Sequence, residues 1–513
     1  MKKYSDLEYL RLSKGQKLLY KLKSFFCAIP RAIGAFFLRI AQAIAAFFGL
    51  IWREIKDIGQ TFIQGDWKTK TSFFVMGFGS FARGQILRGI LFFLFEVVFI
   101  GYMVLFGGYY LSMMPSLGKQ GPTVEKVASG LRGTATVTTY HDNSFKILLY
   151  SVLTIFFILA FIYTWRVNVR QNKIAQDILK KGKKLKSGKD DLRSLVDDQF
   201  HKTLLALPMT GIVVFTVLPI LFMILVAFTN YSGANNGYTN NLFHWVGLDN
   251  FNTMLSWTSG TTSYAATFGE VLVWTLIWAF FATFTNYFLG MLVAMAINKK
   301  GIRFKKGWRT VLVLTIAIPQ FISLLYVSKM FAQNGIVNGL LMDLGIIDQA
   351  HVLPFWTDPT WARVTVIIIN IWIGIPYLML ITTGILMNIP SDLYESARID
   401  GASGWQQYSK ITLPYMLFVT GPYLLTSFTG NMNNFNVIYL LTGGAPTNNL
   451  STAPGTVGYT DLLITWLFKI TQGAEAKYYL ASVVGILVFV VVAVISLVVY
   501  NLLPSIKNEE DFQ

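Results

Sequence analysis

Eight long apolar stretches recur along the chain, near residues 89–112, 147–165, 204–228, 271–297, 310–331, 364–386, 415–441 and 479–503. Each supplies the roughly 20 mostly apolar residues that an α-helix needs to cross a hydrocarbon core of about 30 Å. The pattern predicts an all-α, polytopic membrane protein with eight transmembrane helices. The first 85 residues read differently. The apolar run from Phe25 to Ile51 is interrupted by Pro30, Arg31, Arg39 and Gln42, and charges at mid-span are expensive. It reads as an interfacial amphipathic helix with snorkelling arginines, or else as a re-entrant or additional span.

Composition agrees with the pattern. Of 513 residues, 54% are hydrophobic and 13% charged, which is more apolar surface than a soluble fold buries. The net charge of +17 suggests nucleic acid only until the charges are located. With the N-terminus inside, 35 of the 43 Lys and Arg fall in inner segments. That asymmetry predicts two cytoplasmic termini and accounts for the basic balance without nucleic acid. The N-terminus lacks a short apolar region followed by a small-residue cleavage site, so the first span is expected to act as the insertion signal.

Little in the sequence points to catalysis. Cys27 is the one cysteine, and His141, His201, His244 and His351 fall in no metal-ligand spacing, so no structural metal or disulfide framework is expected. The basic run at 180–193 reads as a solvated inner loop touching anionic head groups. Its glycines, Gly182 and Gly188, are six apart, and Lys189 precedes Asp190, so it fails the spacing of a phosphate-binding loop. No ATP site of that type, and no cofactor, is expected in the chain. Glu96, inside the first span, reads as a structural hydrogen-bonding group or as a functional carboxylate; Glu270 lies near the outer end of the fourth.

The segment PSDLYESARIDGASGWQQYSKITLPYM, 390–416, lies on the inner side between the sixth and seventh spans. It reads as a short helix, a glycine break and a second short helix. Pro390 with Ser391 or Asp392 supplies the start signal, and Asp392 and Glu395 suit the positive end of the helix dipole. Gly401 permits a left-handed turn, and Pro414 opens the next span. The segment resembles the coupling loop of ABC importer permeases, whose pattern is Glu-Ala-Ala, three residues, Gly, nine residues, Ile-x-Leu-Pro. Glu395, Ser396, Ala397, Gly401, Ile411, Leu413 and Pro414 fit that spacing, with Ser396 the one departure. The resemblance implies that Glu395, Ser396, Ala397, Asp400 and Gly401 dock on a separate ATPase subunit.

AFTNYS at 227–232, FHWVGLDNF at 243–251 and NFNVIYLLTGGAP at 434–446 are similar to sugar-importer permeases. Two spans before a six-span core resemble the larger, F-type permease subunit of maltose/maltodextrin importers. The likeness covers roughly 86–503 and implies a layout of four parts. These are a basic cytoplasmic or interfacial segment 1–85, an accessory pair with its basic loop 86–200, an importer core 201–505 containing the coupling loop 388–414, and a cytoplasmic tail 506–513. It implies as partners a second homologous permease, two copies of an ABC ATPase that uses the ATP, an extracellular sugar-binding protein and membrane lipid. The loop between the third and fourth spans has about 40 residues, whereas some Gram-negative relatives carry a large domain there. This difference suggests a Gram-positive source with a lipid-anchored binding protein.

Two spans carry polar residues at i, i+4, i+7: Asn370, Gly374 and Tyr377 in the sixth, and Ser427, Asn431 and Asn434 in the seventh. Each set is expected to line one helix face. Uncharged amides, hydroxyls and a tyrosine ring suit a neutral sugar, while Ser and Asn in membrane bundles also join helices to one another. Gly374 is expected to let a sugar ring approach the backbone, and Pro376 to bend the sixth span and widen a cavity. The resemblance places Asn370, Gly374, Tyr377, Ser427 and Asn434 in the sugar site. At further site positions the chain departs: Ile316 replaces an aromatic, Gln320 a serine and Gly430 a phenylalanine. These changes leave room for longer maltodextrins and keep another oligosaccharide open. A proton-coupled sugar transporter predicts a buried carboxylate or histidine at mid-membrane and often two inverted halves; the chain shows no internal repeat and no coupled acidic pair. A membrane enzyme predicts a catalytic constellation, and none is visible.

Overall fold

The computed structural model describes residues 13–128, 134–185, 188–236, 240–256, 263–299, 301–448 and 456–502. The tail 506–513 and part of the basic loop, 186–187, lie outside the described residues. The chain divides into two units, Phe37–Asn250 with Gly473–Ser482, and Met1–Phe36 with Phe251–Gln472 and Val483–Gln513. Among the described residues, seven helices are long and apolar enough to cross a membrane, and a helix pair bent by 90°, counted as one span, brings the number to eight.

α1 runs from Lys14 to Gln64, longer at both ends than the apolar run. Over its second half Leu38, Phe47, Phe48, Trp52, Ile55 and Ile63 are exposed, and it is not among the segments apolar enough to span. Two short helices follow, α2 (Trp67–Thr71) and α3 (Phe78–Phe81), and lead into the first span, α4 (Ile86–Met113).

A hairpin of β1 (Thr123–Ala128) and β2 (Thr134–Thr139), paired Thr123 to Thr139, separates α4 from the second span, α5 (Ser144–Lys180). α4 and α5 pack through phenylalanines, with Phe99 and Phe161 stacked at 3.9 Å between ring centroids. α5 continues about four turns past the apolar run, and this extension carries Asn168, Asn172 and Gln176, all buried.

These amides organise one end of the unit. Arg83 donates to Asn172 Oδ1 (2.7 Å), Thr69 Oγ1 (2.7 Å) and Asp66 Oδ1 (2.6 Å). Gln176 Oε1 accepts from the Asp66 and Thr69 groups at 3.1 and 3.0 Å. Glu96 belongs here as well: its Oε2 accepts from the Met76 backbone N–H at 2.8 Å, so the intramembrane carboxylate caps a turn. Gly77 is required beside it, because its φ is +83° and a Cβ would lie 2.2 Å from the Gly89 carbonyl. α6 (Gly188–Val196), the third span α7 (Phe200–Val226) and α8 (Asp249–Leu255) follow.

The second unit is built on α9 (Tyr264–Asn298), the fourth span. The fifth departs from a single helix. α10 (Lys305–Ala317) and α11 (Gln320–Met330) meet at 90°. Pro319 offers no N–H and holds Ile318 extended, at φ −81°, ψ 126°, where a helix cannot continue. After α12 (Ile336–Asp343) comes the sixth span, α13 (Pro359–Leu386), continuous through Pro376.

α14 (Ser391–Ile399) precedes the seventh span, α15 (Gly404–Met432). Two expectations change here. The second short helix of the inner loop is the first turns of α15, and Pro414 sits inside the span just after a π-helical segment, Tyr408–Thr412. A π-turn there accommodates the missing Pro414 N–H without ending the helix. The span also stops nine residues early, at Met432, and α16 (Phe435–Leu441) starts anew after Asn434. α17 (Leu463–Ile470) and the eighth span, α18 (Tyr478–Leu502), complete the chain.

Candidate functional site

α9 carries the site from behind. It lies parallel to α13, and the two approach through reciprocal glycines. A Cβ on Gly290 would sit 2.7 Å from Leu378 Cβ, and one on Gly374 would sit 2.2 Å from Asn286 Nδ2. Small residues at such points let membrane helices close together. Against α15, running the other way, α9 is tied by hydrogen bonds. Asn431 Nδ2 donates to Thr283 Oγ1 (3.0 Å), Trp278 Nε1 to the Asn431 carbonyl (3.1 Å), and Thr420 Oγ1 to the Tyr287 hydroxyl (2.8 Å).

The residues expected to contact ligand distribute over this frame unequally. Gln320 opens α11 at the 90° break, and it shares a cavity of about 330 Å³ with Ile316, Ser323, Trp372 and Tyr377. Tyr377 is 52% exposed, so ring and hydroxyl are both available there. Gln320 and Tyr377 are thus brought together from α11 and α13, whereas Ser427, on α15, is half-buried and is not among the residues lining this cavity. Gly430 is exposed, with nothing within 4 Å of where a Cβ would be.

Two expectations need correction. Asn434 is not on the face of the seventh span, because α15 ends before it; its Oδ1 accepts from Val437 N–H at 3.3 Å and starts α16, as Asn commonly does at a helix N-cap. Its Nδ2 donates to Asn431 Oδ1 at 3.4 Å, so Asn431 and Asn434 hold the break in the seventh span. Gly374 does not open the backbone to a ligand, since the Asn286 carboxamide fills the space over it. The sixth span stays helical through Pro376, whose ring is buried. Asn370, one turn before Gly374, is 6% exposed. Thr283 and Asn286 were missed in the sequence, because α9 is buried around much of its circumference and shows no single polar stripe.

The inner loop presents a second surface. Gly401 has φ +77° and terminates α14, with Ala402 N–H bonded to the Ala397 carbonyl at 2.8 Å; this is the left-handed close that glycine makes without strain. Ser403 and Gln406 form a capping box that starts α15. The Tyr394 hydroxyl lies 2.8 Å from Thr412 Oγ1, fastening α14 to the π-helical turn of the span. Glu395, Ser396 and Asp400 are exposed and Ala397 is half-buried. Ile399 and Trp405 are 87% and 73% exposed, an apolar pair unusual on a free loop.

Residues 286–508 match the model of the family described as binding-protein-dependent transport system inner membrane component. A maltodextrin transport system permease protein of Streptococcus pneumoniae serotype 4 is 30% identical over 444 residues, 85% of this chain and 95% of that protein. The chain belongs to this permease family. A galactooligosaccharides transport system permease protein of Bacillus subtilis strain 168 is 32% identical, over 85% of the permease and 97% of the relative. The maltose/maltodextrin permease protein of Escherichia coli K12 is 37% identical over 235 residues, 45% of this permease and 44% of that one. The family and the apolar helices make the permease a multi-pass membrane transport subunit.

Proposed function

We propose that this permease passes a neutral oligosaccharide of the maltodextrin class, in an importer driven by a separate ATPase. The observation that carries the reading is the 330 Å³ cavity at the α10–α11 break. Gln320, Ser323, Tyr377 and Trp372 line it together with apolar side chains and no charge. A sugar needs that mixture of hydrogen-bonding groups and flat apolar surface, and an uncharged lining disfavours ionic cargo. Ser427, on α15, and Asn370, on α13, are proposed to meet the sugar beyond this cavity.

In the mechanism, a loaded sugar-binding protein delivers the sugar from outside while a second homologous permease completes the pathway. Two ATPase copies bind and hydrolyse the ATP, so this chain needs no nucleotide site or cofactor of its own. One of them receives α14, through Glu395, Ser396, Asp400 and the exposed Ile399. Closure of the ATPases moves α14, and the Tyr394–Thr412 contact passes that motion into α15, which reaches the Asn431–Asn434 break. Both termini lie on the ATPase side.

A galacto-oligosaccharide is the second reading, supported by the comparable identity of the Bacillus subtilis relative. Ile316 and Gly430 also leave the site without two aromatic surfaces. Uptake of labelled maltotriose by the reconstituted importer, challenged with unlabelled maltodextrins and galacto-oligosaccharides, separates the two. Competition by maltodextrins alone supports the first reading, and competition by galacto-oligosaccharides alone replaces it with the second.

A further inference from the structure

Two buried polar atoms stand out at the α9–α13 crossing. Asn286 Oδ1 and Asn370 Nδ2 have no hydrogen-bond partner among the described residues, and both residues are 6% exposed. Buried polar groups in proteins are almost always paired, and an unmade bond is costly. Their neighbours obey that rule: Thr283 bonds Asn431, Thr420 bonds Tyr287, and Thr382 bonds the Leu378 carbonyl. Asparagines that merely fasten helices together would look like those neighbours. Here the packing of Asn286 over Gly374 sets it one helical turn from Asn370, on the facing helix.

The two orphan atoms are of opposite kind. Asn286 Oδ1 only accepts and Asn370 Nδ2 only donates, and a hydroxyl group does both at once. We propose that Asn286 is a further specificity-determining residue, which with Asn370 reads one hydroxyl of the transported sugar. The hydroxyl proton is donated to Asn286 Oδ1, and the hydroxyl oxygen accepts from Asn370 Nδ2. Both atoms are closed off in this structure, so the hydroxyl enters as the Gly374–Asn286 contact opens. The inference rests on the reading of the chain as a sugar permease. It places α9, and not only α11, α13 and α15, in contact with cargo.

The test pairs protein variants with sugar analogues in the complete reconstituted importer. Uptake KM is measured for maltotriose and for its singly deoxygenated analogues, with wild type, Asn286→Leu, Asn370→Leu and the double variant. The expected result is one analogue whose KM is raised about tenfold with wild type and which matches its parent with Asn286→Leu. The double variant is then no worse than the poorer single variant, because both residues serve one hydroxyl. Equal penalties for every analogue in wild type and variant overturn the inference, as does additivity of the two substitutions. Either outcome leaves the pair holding water or helix contacts only. If Asn286→Leu fails to assemble, Asn286→Ser keeps an acceptor on a shorter side chain, and intermediate discrimination is expected; unchanged discrimination overturns the inference. A wild-type importer that moves no maltodextrin overturns the maltodextrin reading itself, and is seen before any variant is made.

Discussion

Asn431 Nδ2 donates to Thr283 Oγ1 at 3.0 Å, joining the middle of the fourth span to the end of the seventh. The same asparagine accepts from Asn434, which begins the helix after the break. One polar chain therefore joins α9, α15 and α16. Thr283→Val, nearly isosteric, leaves Asn431 Nδ2 without its partner and is expected to destabilise the permease by about 1 kcal/mol. Thermal unfolding of the detergent-solubilised protein measures it; an unchanged midpoint would show that the bond contributes nothing.

The glycine pair at the α9–α13 crossing differs in what a methyl group meets. At Gly290 the obstacles are Leu378 Cβ at 2.7 Å and its backbone carbon at 3.2 Å, whereas at Gly374 they are the end of the Asn286 side chain. Backbone does not yield easily, so Gly290→Ala is expected to cost about 1–3 kcal/mol and Gly374→Ala less. Comparing the unfolding midpoints of the two variants checks the order.

Gly401 faces open space, with no atom within 4 Å of where a Cβ would stand, but its φ of +77° is unfavourable for any side chain. Gly401→Ala is expected to cost about 1–2 kcal/mol and to displace α14. The readout is ATP hydrolysis by the assembled importer with and without sugar-loaded binding protein. Stimulation should fall while the assembled importer stays intact; retained stimulation would remove Gly401 from coupling.

At one end of the first unit, Arg83 is 1% exposed and bonds Asp66, Asn172 and Thr69. Arg83→Met is expected to loosen α2 and α3 by about 1.5–3 kcal/mol, seen as faster amide exchange over 66–83. Asp66 also makes the region acid-sensitive. Burial alone raises its pKa, but the hydrogen bonds from Thr69 and the Arg83 charge outweigh burial and lower it from 3.8. Stability from this group is present above that unfolded value and is lost as the pH falls through the lower folded one. Asp66→Asn should flatten the acid limb of amide exchange in this segment.

The local fold of 390–402 was legible in the sequence because its signals are local. Pro390 and Gly401 each dictate the conformation of their own residue and its neighbours, whereas the capping role of Ser403 was not anticipated. Hydropathy located the spans for a similar reason but saw straight through Pro319 and Asn434, each of which starts a new helix after a break. The Arg83–Asn172 network joins residues 89 apart, and no periodicity announces it. Asn286 was hidden differently: the partner that explains it is Gly374, a residue without a side chain. The two polar stripes were visible, yet whether a polar residue lines a cavity or holds a helix end depends on where the helix stops.

The most direct test is uptake of labelled maltotriose into proteoliposomes holding this permease, its partner permease, the ATPase pair and the binding protein. ATP is enclosed in the lumen, and a protonophore is added in parallel. Accumulation that requires ATP and is indifferent to the protonophore is the predicted result. Accumulation that persists without ATP and collapses with the proton gradient would contradict the account.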